Sequence, residues 1–121
     1  MTQVTIIVEF ETVDGAEAEF TRIMLDHARR TLNEEPGCLR FEVIRPVDES
    51  GRPRRNALIV NELYADQAAV VAHRANPRME PLGRAIAPLL SSRRLIEARA
   101  VGETPAAEGK RPEELNAAND D

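Results

Sequence analysis

Apolar and polar residues alternate over residues 3–12, which predicts a β-strand with one buried face. The period then changes to three or four residues between Ala16 and about Asn33, which predicts an amphipathic helix. Asp14 is expected to cap that helix, with Glu17 as its capping-box partner. The apolar stripe of the helix, in which His27 also lies, consists of Phe20, Ile23, Met24, Ala28 and Leu32.

The rest of the chain contains three further strands and two helical regions. Pro36 and Gly37 end the first helix, because proline disfavours helical geometry in the preceding residue and glycine permits a turn. Asp66 is expected to cap the second helical region, which Asn76 and Pro77 interrupt. The predicted segments are strands at 38–45, 56–64 and 94–101, helical stretches at 67–74 and 78–90, and a hairpin loop at 46–55.

The resulting order of elements is β-α-β-β-α-β, which is typical of a ferredoxin-like α+β fold. Such a fold has a four-stranded antiparallel sheet with helices on one face only. The other face also carries apolar side chains, among them Ile7, Ile59 and Leu63. A second copy of the sheet is the simplest cover for that face, so we expect a homodimer.

Composition and charge divide the chain into a folded part and a tail. The length of 121 residues supports one domain, predicted to be residues 1–101, which hold 14 basic and 15 acidic side chains. Residues 102–121 hold two basic and six acidic side chains and few large apolar ones. They are predicted to be a flexible tail, with an arm that clasps a partner subunit as the alternative.

Several classes of function are disfavoured by the composition. A net charge of −5 and an aromatic content of 3% argue against a nucleic-acid partner. No signal peptide is recognisable and no apolar run approaches the ~18 residues of a membrane span, so a cytoplasmic location without a membrane partner is expected. No Cys/His cluster has metal-ligand spacing, and Cys38 is expected to be a buried structural thiol rather than a nucleophile.

Three segments, in order along the chain, carry a family resemblance. Residues 35–41 (EPGCLRF) contain an acidic residue, Pro-Gly-Cys and an apolar-polar-aromatic run. Residues 61–66 (NELYAD) are similar to a Tyr-Glu-Glu-Trp-x-Asp segment, with Tyr64 in place of Trp, and residues 72–77 (AHRANP) to a helix that ends in His before a break. The chain thereby resembles the antibiotic biosynthesis monooxygenase family, which includes quinol monooxygenases. The resemblance implies a dimeric α+β barrel with a pocket between the sheet and the helices of each subunit.

Two residues are candidate catalytic bases. His73 lies near the end of a short helix, and a neutral imidazole can exchange a proton near physiological pH. The alternative is that His73 caps the carbonyl groups of the helix end. Glu62 shares a strand face with apolar residues, so burial is expected to raise its pKa. The alternative for Glu62 is an ion pair with Arg40 or Arg99.

Three residues are candidates for binding the substrate. Tyr64 shares the Glu62 face and is placed to hydrogen-bond a phenolic oxygen, with plain packing as the alternative. Arg40 is a second candidate partner for a substrate oxyanion. His27 is expected either to line the pocket from the helical side or to be an ordinary core histidine. Asn61 faces away from Glu62 and is expected at the subunit interface.

The favoured function is oxygenation, by O₂ and without a cofactor, of a small electron-rich aromatic such as a hydroquinone. The chain has no G-x-G-x-x-G or P-loop sequence that would hold a nucleotide cofactor. The substrate must then supply the electrons, while the protein supplies a base, a partner for the oxyanion and a dry pocket. A cofactor-free isomerase or tautomerase of a small oxo-compound and a non-catalytic ligand-binding dimer remain as alternatives.

Overall fold

The structure, a computed structural model, describes residues 2–102 and contains one sheet and three helices. The predicted tail lies outside the described residues from position 103 onward. None of the helices in residues 2–102 has the length and hydropathy of a membrane span. The elements are β1 (Val4–Thr12), α1 (Glu17–Glu34), β2 (Cys38–Ile44), β3 (Ala57–Tyr64), α2 (Gln67–Ala75), α3 (Met79–Ile86), a 3₁₀ turn (Ala87–Leu89) and β4 (Leu90–Ala98).

The strands form an antiparallel sheet in the order β2-β3-β1-β4, which confirms the predicted ferredoxin-like α+β fold. The second helical region consists of two separate helices, so the full order is β-α-β-β-α-α-β. Asp66 caps α2 as predicted, because its carboxylate accepts a hydrogen bond of 2.9 Å from the backbone N–H of Ala69.

The core lies between one face of the sheet and the helices. The predicted alternation in β1 is confirmed, since Val4, Ile6, Val8 and Phe10 are all buried. On α1, Thr31 is fully buried whereas Leu32 is 43% exposed, so the prediction that Leu32 belongs to the buried stripe is wrong. At 3.6 residues per turn, Leu32 is rotated about 120° from Phe20 around the helix, whereas Thr31 lies almost in line with it.

The start of α1 also differs from the prediction. Ala16 occupies the N-cap position and no side chain caps the helix, so Asp14 and Glu17 do not form a capping box. The Asp14 carboxylate instead accepts a hydrogen bond of 2.7 Å from the side chain of Asn56, which lies just before β3. A contact between residues so far apart in the chain outweighs the local capping rule.

The last strand begins earlier than predicted. β4 starts at Leu90 instead of Arg94, directly after the 3₁₀ turn that ends the second helical region. Ser91, Ser92, Arg93 and Arg94 follow Leu90 without any apolar alternation, which is why the sequence pattern does not reveal the start of the strand.

The face of the sheet that points away from the helices, here called the open face, carries apolar side chains. The pairings Thr5–Leu63 and Ile7–Ile96 put Ile7, Leu63 and Ile96 on this face. Asn61 lies there too, as predicted, and donates a hydrogen bond of 3.0 Å to Glu42.

Candidate functional site

A cavity of about 170 Å³ lies between the sheet and the three helices. Three of the predicted site residues, His73, Glu62 and His27, line this cavity. The remaining wall is mainly apolar and includes Ile6, Val8, Phe10, Met24, Phe41 and Val60. The fold therefore brings residues from three separate segments to one enclosed space.

His73 lies in the last turn of α2 and is 5% exposed. Its Nδ1 atom is 2.9 and 3.1 Å from the two carboxylate oxygens of Glu35, which follows the last residue of α1. A carboxylate only accepts hydrogen bonds, so Nδ1 is the donor, and in the neutral form of the ring the proton is on Nδ1. The Nε2 atom of His73 is then left with a free electron pair and can act as a base.

Glu62 lies beside the second nitrogen of that ring. Its Oε1 atom is 3.8 Å from His73 Nε2, which is too far for a hydrogen bond. The same oxygen accepts a hydrogen bond of 2.6 Å from the hydroxyl of Tyr64. Burial raises the pKa of Glu62, although Tyr64 and His73 partly oppose the shift. Glu62 therefore keeps its proton to a higher pH than an exposed carboxyl group does.

Tyr64 is fully buried, and its hydroxyl is engaged by Glu62. Burial and the neighbouring carboxyl group raise the pKa of the hydroxyl, so it is a hydrogen-bond donor and not an acid at physiological pH. The structure thus makes Tyr64 a residue that positions Glu62. The Tyr64 hydroxyl is directed to Glu62, and Tyr64 does not line the cavity, which differs from the predicted contact with a substrate oxygen.

Arg78, just before α3, connects the two histidines. Its guanidinium donates a hydrogen bond to Glu35 and lies 3.4 Å from Nδ1 of His27. Arg78 and Glu35 have side chains that are only 13% and 12% exposed. The guanidinium balances the charge of the Glu35 carboxylate, which is itself held against His73.

His27 has different surroundings from His73. Its ring packs edge-on against Phe41 at 5.3 Å and lies 5.5 Å from the ring of His73. Burial, with the nearby His73 and Arg78 as smaller contributions, lowers the pKa of His27 to about 4. His27 is therefore neutral at physiological pH, and its Nδ1 accepts the hydrogen bond from Arg78.

Gly37 allows α2 to approach the turn after α1. A Cβ atom added at Gly37 would lie 2.4 Å from the Cβ of Ala69 in α2. The Gly37 carbonyl also accepts a hydrogen bond of 2.9 Å from the N–H of Ala65. Glycine is thus required here for a close approach, and that approach places His73 within reach of Glu35.

Arg40 does not reach the cavity, so the structure contradicts its predicted place in the pocket. It pairs with Leu63 on the open face and lies 3.7 Å from Glu42. Strand alternation turns the next residue, Phe41, toward the cavity instead. Arg99 bonds to Gln67 at 2.6 Å, so the alternative of an ion pair between Glu62 and either arginine is also wrong.

Sequence reasoning missed Glu35 and Arg78 as site residues. The sequence indicates Glu35 as the acidic residue of the 35–41 segment at the end of α1, but not as a partner of His73. One signal was present: Glu34 and Glu35 lie at the C-terminal end of α1, whose last turn has no basic residue. Acidic groups are unfavourable next to the negative end of a helix dipole, which indicates that they are held by partners elsewhere.

Cys38 lies near this cluster but is buried, as predicted. Burial raises the pKa of its thiol to about 11, so the thiolate is disfavoured. Within residues 2–102, no group of three or more His, Cys, Asp or Glu residues is arranged to hold a metal ion.

Comparison with known proteins supports the family resemblance. The family model described as antibiotic biosynthesis monooxygenase matches residues 3–81. No curated protein gives a significant match.

Several solved structures have the same fold. A Caulobacter crescentus protein assigned to this family is 25% identical, with a TM-score of 0.72 and coverage of 84% of this chain and 92% of its own. A point variant of SnoaB, a cofactor-independent oxygenase from Streptomyces nogalater, is 20% identical, with a TM-score of 0.70 and coverage of 87% and 99%. Rv0793 from Mycobacterium tuberculosis is 18% identical, with a TM-score of 0.70 and coverage of 85% and 99%. The chain belongs to the antibiotic biosynthesis monooxygenase family.

Proposed function

We propose that the protein is a cofactor-independent monooxygenase that oxidises a small hydroquinone-like aromatic with O₂. His73 is the catalytic base in this proposal. The observation that carries the proposal is the position of His73 at the wall of an apolar cavity. Its Nδ1 is hydrogen-bonded to Glu35, and its Nε2 faces Glu62. A second support is the likeness of the fold to SnoaB, itself a cofactor-independent oxygenase.

The size of the cavity favours a substrate with one aromatic ring. Its volume is about 170 Å³, and a cavity of about 150 Å³ is known to hold benzene. The apolar side chains of Phe41, Val8 and Met24 provide contact for the ring faces and edges. The polar groups at the His73 wall are then available for a ring hydroxyl.

The first chemical step is transfer of a proton from a ring hydroxyl to Nε2 of His73. The resulting imidazolium is stabilised by the Glu35 carboxylate, which accepts the Nδ1 hydrogen bond. The monoanion of a hydroquinone is a better electron donor than the neutral molecule, so deprotonation makes electron transfer to O₂ more favourable. The largely apolar lining around His73 limits the water that would otherwise solvate the anion.

The second step adds oxygen to the ring. The hydroquinone anion and O₂ form a ring hydroperoxide, which loses water to give a hydroxyquinone. One oxygen atom of O₂ remains in the product and the other leaves as water, so the substrate supplies all the electrons. Glu62, whose pKa is raised by burial, holds the proton that the departing oxygen requires.

The active form in this proposal is a homodimer that pairs two open faces. Ile7, Leu63 and Ile96 supply the apolar contact between the copies. Sedimentation at micromolar concentration tests the arrangement. A dimeric species is expected, and a species of about 13 kDa alone would contradict it.

Oxygen uptake with a panel of one-ring hydroquinones tests the function. The wild type is expected to exceed the rate of autoxidation, whereas His73→Ala and Glu62→Gln are expected to fall to that rate. Turnover that continues without O₂ would favour an isomerase instead. A lack of both uptake and turnover in the wild type would favour a ligand-binding protein.

A further inference from the structure

Exposed residues of α3 and β4 line the cavity, which places its opening to solvent between these two elements. Helix α3 packs on α1 and α2, whereas β4 packs on β1, so a gap remains between them. Gly83 of α3 lines one side of this gap, and Arg93 and Leu95 of β4 line the other. Leu95 is 43% exposed although it lies on the helix-facing side of the sheet, opposite Val8. This gap, here called the mouth, is the route by which a substrate enters the cavity from solvent.

Arg93 and Glu62 extend from opposite ends of the cavity. Along β1, Ile6 pairs with Glu62 and Phe10 pairs with Arg93. These positions are four residues apart, or about 13 Å along the strand. A one-ring substrate between the two side chains would therefore contact Glu62 and His73, here called the catalytic wall, with one edge and Arg93 with the other.

Arg93 differs from the other arginine at the cavity. Arg74 is held by Glu97 at 2.6 Å, whereas Arg93 has no ion pair or side-chain hydrogen bond among residues 2–102. The next residue, Arg94, points to the open face, where it lies 3.6 Å from Glu9. Arg93 is thus an exposed guanidinium at the cavity lining and is available to an anion.

We propose that Arg93 binds an anionic substituent, specifically a carboxylate, on a one-ring hydroxyaromatic substrate whose hydroxyl faces His73. This inference rests on the proposed function and narrows its substrate class to dihydroxybenzoate-like acids. The opposite orientation is disfavoured, because the catalytic wall already contains the carboxyl groups of Glu35 and Glu62. A guanidinium binds a carboxylate through two parallel hydrogen bonds, so Arg93 also fixes the orientation of the ring.

Calorimetric titration in O₂-free buffer tests the proposal without turnover. The ligands are a dihydroxybenzoate and the corresponding hydroquinone without the carboxylate. The wild type is expected to bind the acid about fivefold more tightly, as is usual for a solvent-accessible ion pair. Arg93→Gln is expected to abolish this preference, whereas the matched control Arg94→Gln retains it. Added salt is expected to reduce the preference in the wild type.

The outcomes separate this proposal from the proposed function. Equal binding of the two ligands by the wild type, or equal effects of Arg93→Gln and Arg94→Gln, would overturn the inference about Arg93 and leave the oxygenase proposal standing. Failure of both ligands to bind would overturn both. A preference for the acid that is lost in Arg93→Gln, together with an absence of oxygen uptake, would support the carboxylate site and contradict only the oxygenase.

Discussion

The two walls of the cavity each present a buried histidine, yet their surroundings are opposite. On the α2 wall, His73 lies between the carboxyl groups of Glu35 and Glu62. On the α1 wall, His27 faces the guanidinium of Arg78 and the ring of Phe41. The Glu35 carboxylate stabilises an imidazolium at His73, whereas the Arg78 guanidinium destabilises one at His27. The same residue type is therefore suited to accept a proton on one wall and to stay neutral on the other.

Replacement of each histidine by glutamine should give the largest difference in activity between the two walls. His73→Gln is expected to lower kcat by about 10²–10⁴-fold, the usual contribution of a general base. His27→Gln removes a wall contact and replaces the ring nitrogen that accepts from Arg78 by an amide oxygen, so kcat should stay within about tenfold of the wild type. Steady-state oxygen uptake measures both variants. Equal losses in the two variants would show that the walls do not differ in function.

The pH dependence of the free energy of unfolding should reveal the lowered pKa of His27. Its pKa is about 4 in the folded protein, and an unfolded histidine titrates near 6.5. As the pH falls from 6.5 to 4, the unfolded chain binds a proton that the folded chain does not, which lowers the free energy of unfolding by about 3 kcal/mol. Urea unfolding over this range should show that loss in the wild type and a shallower loss in His27→Gln. Parallel curves for the two proteins would contradict the assignment.

Glu35→Gln tests whether Glu35 orients the base His73. A glutamine can still contact His73 but cannot balance an imidazolium charge, so kcat is expected to fall about ten- to hundredfold with little change in KM. The pH profile of kcat should also shift, which loss of packing alone would not cause. Glu34→Gln is the matched control, because Glu34 is half-exposed and lies 3.6 Å from Arg78, and no contact between Glu34 and His73 is found within residues 2–102. Similar kinetics for the two variants would argue against orientation of His73 by Glu35.

The approach of α2 to the turn after α1 is tested by Gly37→Ala. The added methyl group would overlap the Cβ of Ala69, so a loss of about 2 kcal/mol in the free energy of unfolding is expected, together with reduced activity. Adding Ala69→Gly to this variant removes the overlapping atom and should restore part of both. Thermal unfolding and oxygen uptake measure the effects. No change in either for Gly37→Ala would contradict the need for a close approach.

Local patterns were sufficient to predict most of the fold. Alternation in β1 and the helical period of α1 depend on neighbouring residues, and both are found in the structure. The misplacement of Leu32 arises within α1, from the 3.6-residue period. The other failures occur where a distant contact decides the outcome. Asp14 bonds to Asn56 instead of capping α1, and β4 pairs with β1 although the serines that follow Leu90 give no apolar signal.

The site was predictable only in part for the same reason. His73, Glu62 and His27 could be identified because they lie on the buried faces of regular elements. Glu35 lies in a turn and Arg78 just before a helix, so no periodicity indicates where their side chains point. Their contacts depend on how the helices meet above the sheet, which the sequence pattern does not specify.

The central claim is that proton transfer to His73 starts the incorporation of one oxygen atom from O₂ into a one-ring hydroquinone. The most direct measurement is mass spectrometry of the product formed under isotopically labelled O₂, for the wild type and His73→Gln. The account predicts one labelled oxygen atom in each molecule of product from the wild type, at a rate that falls with the loss of His73. An unlabelled product, or equal formation of labelled product by the variant, would contradict it.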